Sequence, residues 1–136
     1  MTPTLRPVRR ITIHCPIRPE TLRAVAGGDA AALAADEGVA PILTLIESST
    51  EFGNFGQYRG VCEIGLGLEA FTPQTNARPT LGVSGERAVS VTATVKTYVA
   101  ATCDSDRLAT LLGEIAARHP WEVPVIEVDD VLLFGR

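Results

Sequence analysis

The stretch Arg118-His119-Pro120-Trp121-Glu122-Val123-Pro124 decides how the rest of this 136-residue chain is read. Before it, Leu108, Leu111, Leu112 and Ile115 recur at helical spacing, and Asp104 or Ser105 stands where such a helix needs an N-terminal cap. Pro120 has no amide N–H to continue the helical ladder, and its ring pushes His119 towards extended geometry. After it, Val123 to Val128 reads as a strand, and Val131-Leu132-Leu133-Phe134 as a further extended apolar segment that needs cover. The stretch holds the only Trp and one of the two His residues, so it is also the first place to look for chemistry.

Upstream, Val89 to Val99 is the clearest strand. Val89, Val91, Ala93, Val95, Thr97 and Val99 alternate with Ser90, Thr92, Thr94, Lys96 and Tyr98. The first set is a core face. The second is polar but nearly uncharged, which suits contact with another subunit better than open solvent. Val8 to Cys15 reads as a first strand, with Ile11, Ile13 and Cys15 on one face and Arg10, Thr12 and His14 on the other; residues 1–7 read as a loose leader. Glu20 to Glu37 has helical character through Leu22, Val25, Ala26, Leu33 and Ala34. Gly27-Gly28 interrupts it, Asp29 is placed to cap a second segment, and Gly38 is a natural stop. The residues leave open one kinked helix or two short ones.

Pro41 to Ile46 reads as a strand, and then the composition shifts. Seven of the twelve glycines lie between Gly53 and Gly85, and four of the seven aromatics between Phe52 and Phe71. Glycine at this density permits unusual backbone angles and close approach of a partner. The aromatics argue for an ordered hairpin or flap held by contacts outside itself. The whole order is strand, helix, strand, glycine-rich flap, strand, helix, strand. That predicts one α+β domain of the ferredoxin-like βαββαβ type with a long glycine-rich hairpin.

Composition narrows the partners. Hydrophobic residues make up 46%, charged residues 21%, and mean hydropathy is +0.18, an apolar balance that points to a subunit interface. Net charge is −4, and eleven of the twelve basic residues are scattered arginines, so nucleic-acid binding lacks its electrostatic footprint. The longest apolar run, Val39 to Ile46, is broken by Pro41 and falls far short of the ~20 residues a membrane helix needs. Arg9 and Arg10 lead directly into a strand pattern rather than a signal peptide, so a soluble, cytoplasmic protein is expected. Cys15, Cys62 and Cys103 are odd in number and far apart, which predicts neither a disulfide framework nor a Cys-rich zinc site.

With those residues in view, Ile115 to Pro124 resembles a helix-to-strand "HPYE-x-P" signature shared by two groups, with Trp121 where they usually have Tyr. One is the CutA divalent-cation-tolerance proteins. The other is the YqfO-type domain inserted in dinuclear-metal proteins of the GTP cyclohydrolase type 2-like kind. Gly53-Asn54-Phe55 is similar to the YqfO-type "GNY", Gly65-Leu66-Gly67 with Phe71 to its "GTG-x-F", and Asn76 to Gly82 to its "ANPxIG" run. The similarity covers Phe52 to Phe134. It departs from the pattern in a few extra residues between Gly53 and Phe71 and in a longer Val39–Thr50 link. The resemblance implies a PII/CutA-like fold in which three sheets pack about a threefold axis and the long hairpin reaches over a neighbour.

The candidate chemistry is sparse. A dinuclear hydrolase centre needs more His and carboxylate ligands than a chain with two His residues offers. Ligand binding between subunits, the function the resemblance implies, would draw on Arg59, Arg78 and Lys96 as cations and on His119, Trp121 and Glu122 at the turn. The alternative is a metal site of His119, Glu122 and Cys62, joined by Cys103 or His14 of a neighbour, holding a divalent or copper ion. Each residue has a plainer role beside this one: His119 can terminate the helix, Trp121 can pack in an interface, Glu122 can be a solvated carboxylate, and the flap can serve assembly alone. An enzyme using Cys62 or Cys103 with a His is a third reading, without spacing to support it. The reading that fits best is a homotrimeric, non-enzymatic binding or regulatory module. Any ligand pocket would have one wall at the His119 turn and the other in the glycine-rich segment.

Overall fold

Strand β1 (Thr4–Pro16) alternates as its sequence demands, and its apolar set, Ile11, Ile13 and Cys15, is fully buried. In the computed structural model, which describes residues 4–135, this strand lies inside a four-stranded sheet. With β2 (Glu63–Phe71), β3 (Ala88–Ala100) and β4 (Ile126–Gly135), the order is β2-β3-β1-β4, and every neighbouring pair is antiparallel. Three helices, α1 (Pro19–Ala26), α2 (Ala40–Ser48) and α3 (Ser105–Arg118), accompany it, with a 3₁₀ segment over Ala30–Ala35 between the first two. This small α+β domain is compatible with a ferredoxin-like fold.

Four expectations are corrected. The segment Pro41–Ile46 is helix, not strand: Pro41 occupies the first turn, where its missing N–H costs nothing, and Ile42, Leu45 and Ile46 form a buried stripe at i, i+3 and i+4. The second strand is instead Glu63–Phe71, drawn from the glycine-rich stretch and paired with β3 from Glu63↔Lys96 to Phe71↔Ala88. The leader is strand from Thr4 onwards, paired with β4 as far as Thr4↔Gly135; residues 1–3 lie outside the described residues. The last strand also starts later than Val123, and it absorbs the apolar segment Val131–Phe134.

The first helical region resolves into separate pieces. Gly27 ends α1 and Gly28 takes a φ of 104°, so the double glycine does break the helix. Leu33 is buried while Ala26 and Ala34 remain exposed. Asp104 is the cap of α3, its carboxylate accepting from the Arg107 amide at 2.8 Å, and Leu111 and Ile115 bury against the sheet's apolar face. The three cysteines are free; Cys15 is in the core, and Cys62 and Cys103 pack against it half-buried. Burial pushes the Cys15 thiol up to about 12, with nearby Glu69 adding to the effect, so this thiol is inert at neutral pH.

A buried carboxylate ties these pieces together. Asp36 is 2% exposed and accepts from the Arg18 amide at 2.8 Å, the Thr21 hydroxyl at 2.6 Å and the Gly38 amide at 2.9 Å. Burial alone would raise its pKa. The Thr21 and backbone hydrogen bonds, with the Arg18 guanidinium at 3.6 Å, outweigh that and hold it below the usual aspartate value. Gly38 is required beside it, because a Cβ there would sit 1.8 Å from the Pro16 carbonyl oxygen. Two outcomes follow for urea unfolding. Asp36→Asn should cost on the order of 2 kcal/mol at pH 7, since the buried donors lose a charged acceptor. Because the folded pKa is depressed, that difference is full above about pH 4 and fades as acid protonates the native carboxylate. A difference independent of pH would show that the charge contributes nothing.

Candidate functional site

His119 ends α3 with φ −77° and ψ 136°, the extended geometry that the following proline imposes, and its amide still donates to the Ile115 and Ala116 carbonyls. Its ring does more than terminate a helix. Nδ1 accepts from the Trp121 amide at 3.1 Å, which leaves the ring proton on Nε2, 2.6 Å from the His14 carbonyl oxygen of β1. The His14 amide donates to Val125 at 3.1 Å, so the carbonyl of the same residue points to the same strand edge. At that point β4 has diverged, and the His119 ring supplies the missing donor. His119 as a whole is 7% exposed, and burial holds its pKa below the usual histidine value although the His14 carbonyl favours the protonated form.

The turn so anchored faces the glycine-rich segment. The Arg78 amide donates to Glu122 Oε2 at 3.0 Å, the Thr80 hydroxyl donates to the Pro120 carbonyl at 3.0 Å, and the Trp121 ring meets Phe71 edge-on with centroids 5.3 Å apart. Between the two segments lies a cavity of about 520 Å³, with Phe71, Pro79 and Leu81 on one side and Trp121, Glu122 and Val123 on the other. Glu69 lies in its wall, on the helix-free face of β2 with Phe71. Its Oε1 is enclosed and lacks a hydrogen-bond partner among the described residues, and burial raises the Glu69 pKa against the weaker pull of His14.

The residues singled out from the sequence are only partly assembled. Trp121 and Glu122 line the cavity, and Arg78 reaches it through its backbone. Lys96 sits opposite Glu63, its Nζ 4.0 Å from that carboxylate, at the far end of β2 from the cavity. Eight residues of strand, roughly 27 Å, separate it from the Ala88 end. Arg59 is exposed in the loop before β2. The three cations therefore do not converge within one chain. Nor does the metal set: His119 has both ring nitrogens engaged, Cys62 packs against the core at the start of β2, and Glu122 is exposed beside the cavity. Among the described residues, no three His, Cys, Asp or Glu side chains group as a metal site. No helix among them is long and apolar enough to cross a membrane.

Glu69 is the site residue that the sequence reading passed over. Its signal is the alternation Glu63, Gly65, Gly67, Glu69, Phe71, which is visible only once β2 is placed there. The helix-free face is also more charged than β3 alone suggests. Neighbouring strands add Arg10 to Asp129 at 3.2 Å and His14 to Glu127 at 2.7 Å.

Replacing His119 by Ala orphans the Trp121 amide and the His14 carbonyl and leaves a void, which should cost roughly 2–4 kcal/mol. Trp121 fluorescence should shift to the red as its support loosens. An unchanged unfolding midpoint and emission would show that the bridge is not structural.

No protein-family model matches the chain, and no curated protein matches it. In fold it is similar to the Bacillus cereus protein related to NIF3, with a TM-score of 0.58 and 14% sequence identity. The similarity covers 98% of this chain and 29% of that one, so the chain spans under a third of that protein's length and shares the fold of one part of it.

Proposed function

We propose that the chain is a cytoplasmic, non-enzymatic binding or regulatory module. In this reading it works as a homotrimer of PII/CutA-like, YqfO-type domains whose ligand sites are completed between subunits. The observation that carries the reading is the cavity between the His119 turn and the glycine-rich segment. Its volume suits a small organic ligand, and its walls are mostly apolar with a few polar groups, the usual make-up of such sites. Two of the motifs behind the YqfO-type resemblance, Asn76–Gly82 and His119–Pro124, form its opposite walls. The NIF3-related neighbour supports the fold part of that resemblance.

Surface features favour assembly. On the helix-free face, a Cβ at Gly65 would meet nothing and one at Gly67 only the Thr92 hydroxyl at 3.7 Å. Packing among the described residues does not require glycine at either position, whereas close approach by a neighbouring backbone would. Leu68 and Val89 on the β2–β3 pair, and Leu5 and Phe134 on the β1–β4 pair, are each at least 60% exposed. Apolar groups on this scale suit a subunit contact.

Light scattering should return three times the 14.4 kDa chain mass. A metabolite panel should contain a compound that raises the melting temperature, since a ligand at a hundred times its Kd stabilises by about 2.7 kcal/mol. A monomeric mass would overturn the inter-subunit account, and no stabilising compound would overturn the binding account. Stabilisation by copper or zinc alone, lost with chelator and in Glu122→Ala, would transfer the reading to the metal-binding, CutA-like alternative.

A further inference from the structure

We infer that the cavity takes a small organic cation, an amine or guanidine on an apolar or aromatic body, with Glu69 as its counter-ion. This rests on the binding-module reading and names the ligand class for that same cavity. Among the described residues, the lining contains two carboxyl side chains, Glu69 and Glu122, and no Lys, Arg or His. Arg78, the nearest sequence candidate for an anion, contributes its amide to Glu122, and its side chain is not part of the wall. A phosphate or carboxylate placed here would meet two groups of like charge in partly desolvated surroundings.

The two carboxyl groups differ in what they still need. Glu122 is exposed and already accepts one backbone hydrogen bond. Glu69 is half-buried, with one oxygen enclosed and without a hydrogen-bond partner among the described residues. An ammonium or guanidinium group beside the accessible part of this half-buried carboxylate supplies the opposite charge, which offsets the cost of desolvating it. Burial raises the Glu69 pKa, and a cation beside it reverses that effect. The remainder of the wall suits the body of such a ligand. Phe71 and Trp121 offer aromatic surface for a cation or an aryl ring, and Pro79 and Leu81 add apolar contact.

The test uses three probes of one shape, phenethylamine, 2-phenylethanol and phenylacetate, with the indole N–H resonance of Trp121 as readout. Trp121 is the only tryptophan, so the signal is local. Phenethylamine should bind at least tenfold more tightly than the alcohol, with phenylacetate weakest. Glu69→Gln should reduce the amine to the affinity of the alcohol, and Glu122→Gln should cost two- to threefold. Equal affinity for amine and alcohol in the unmodified protein, or the same preference retained in Glu69→Gln, overturns the inference. If phenylacetate or another anion binds best, the cation inference fails while the binding-module reading stands. If neither these probes nor a metabolite panel moves the Trp121 signal, both fail.

Discussion

One ring holds the candidate site together. His119 is fixed at both nitrogens, accepting from the amide two residues ahead and donating to a carbonyl on the central strand β1. The first bond shapes the turn, and the second sets its position against the sheet where β4 has peeled away. Trp121 is consequently held against Phe71, and Glu122 within reach of the Arg78 amide. A histidine used in this way is neutral, buried and fully bonded. Its chemistry is spent on architecture, and the groups that remain available for a ligand are those it positions.

The electrostatics of the cavity follow from strand geometry rather than from overall composition. Among the described residues no basic side chain lines the cavity, and the β2–β3 register places Lys96, the only Lys, at the opposite end of the hairpin from Phe71. The same register puts Glu69 on the helix-free face, in the cavity wall, where it is half-buried with one oxygen enclosed. Placement and burial of single residues thus make a small acidic, aromatic recess, a property that net charge does not reveal.

Much of the fold was legible from local pattern. The alternation of β3 from Ala93 to Val99, the Asp104 cap with its Leu111 and Ile115 stripe, and the helix break at His119-Pro120 each depend on groups a few residues apart. At the start of β3, by contrast, Val89 is exposed and Ser90 and Thr92 are buried against expectation. Pro41–Ile46 misled because a short apolar run rich in Ile and Leu fits a buried strand as well as a helix. The deciding cue was Pro41 at the first helical turn with Ile42, Leu45 and Ile46 on one side. Strand β2 was hidden for the opposite reason. Two glycines and few β-branched residues give it little intrinsic strand preference, and nine paired positions along β3 compensate.

The sequence by itself determined where the chain can be helical, where it must be extended and where it must break, because capping, periodicity and proline geometry act over a few residues. It also marked the His119 turn as the place where elements meet. Only the tertiary structure decided what that turn meets: the Arg78–Glu122 bond joins residues 44 apart, and the His119–His14 bond joins residues 105 apart. The partnerless oxygen of Glu69 belongs to the same class. Burial and long-range bonding are set by which strands lie side by side, and that choice is made by the packing of the whole sheet, beyond the reach of any local pattern.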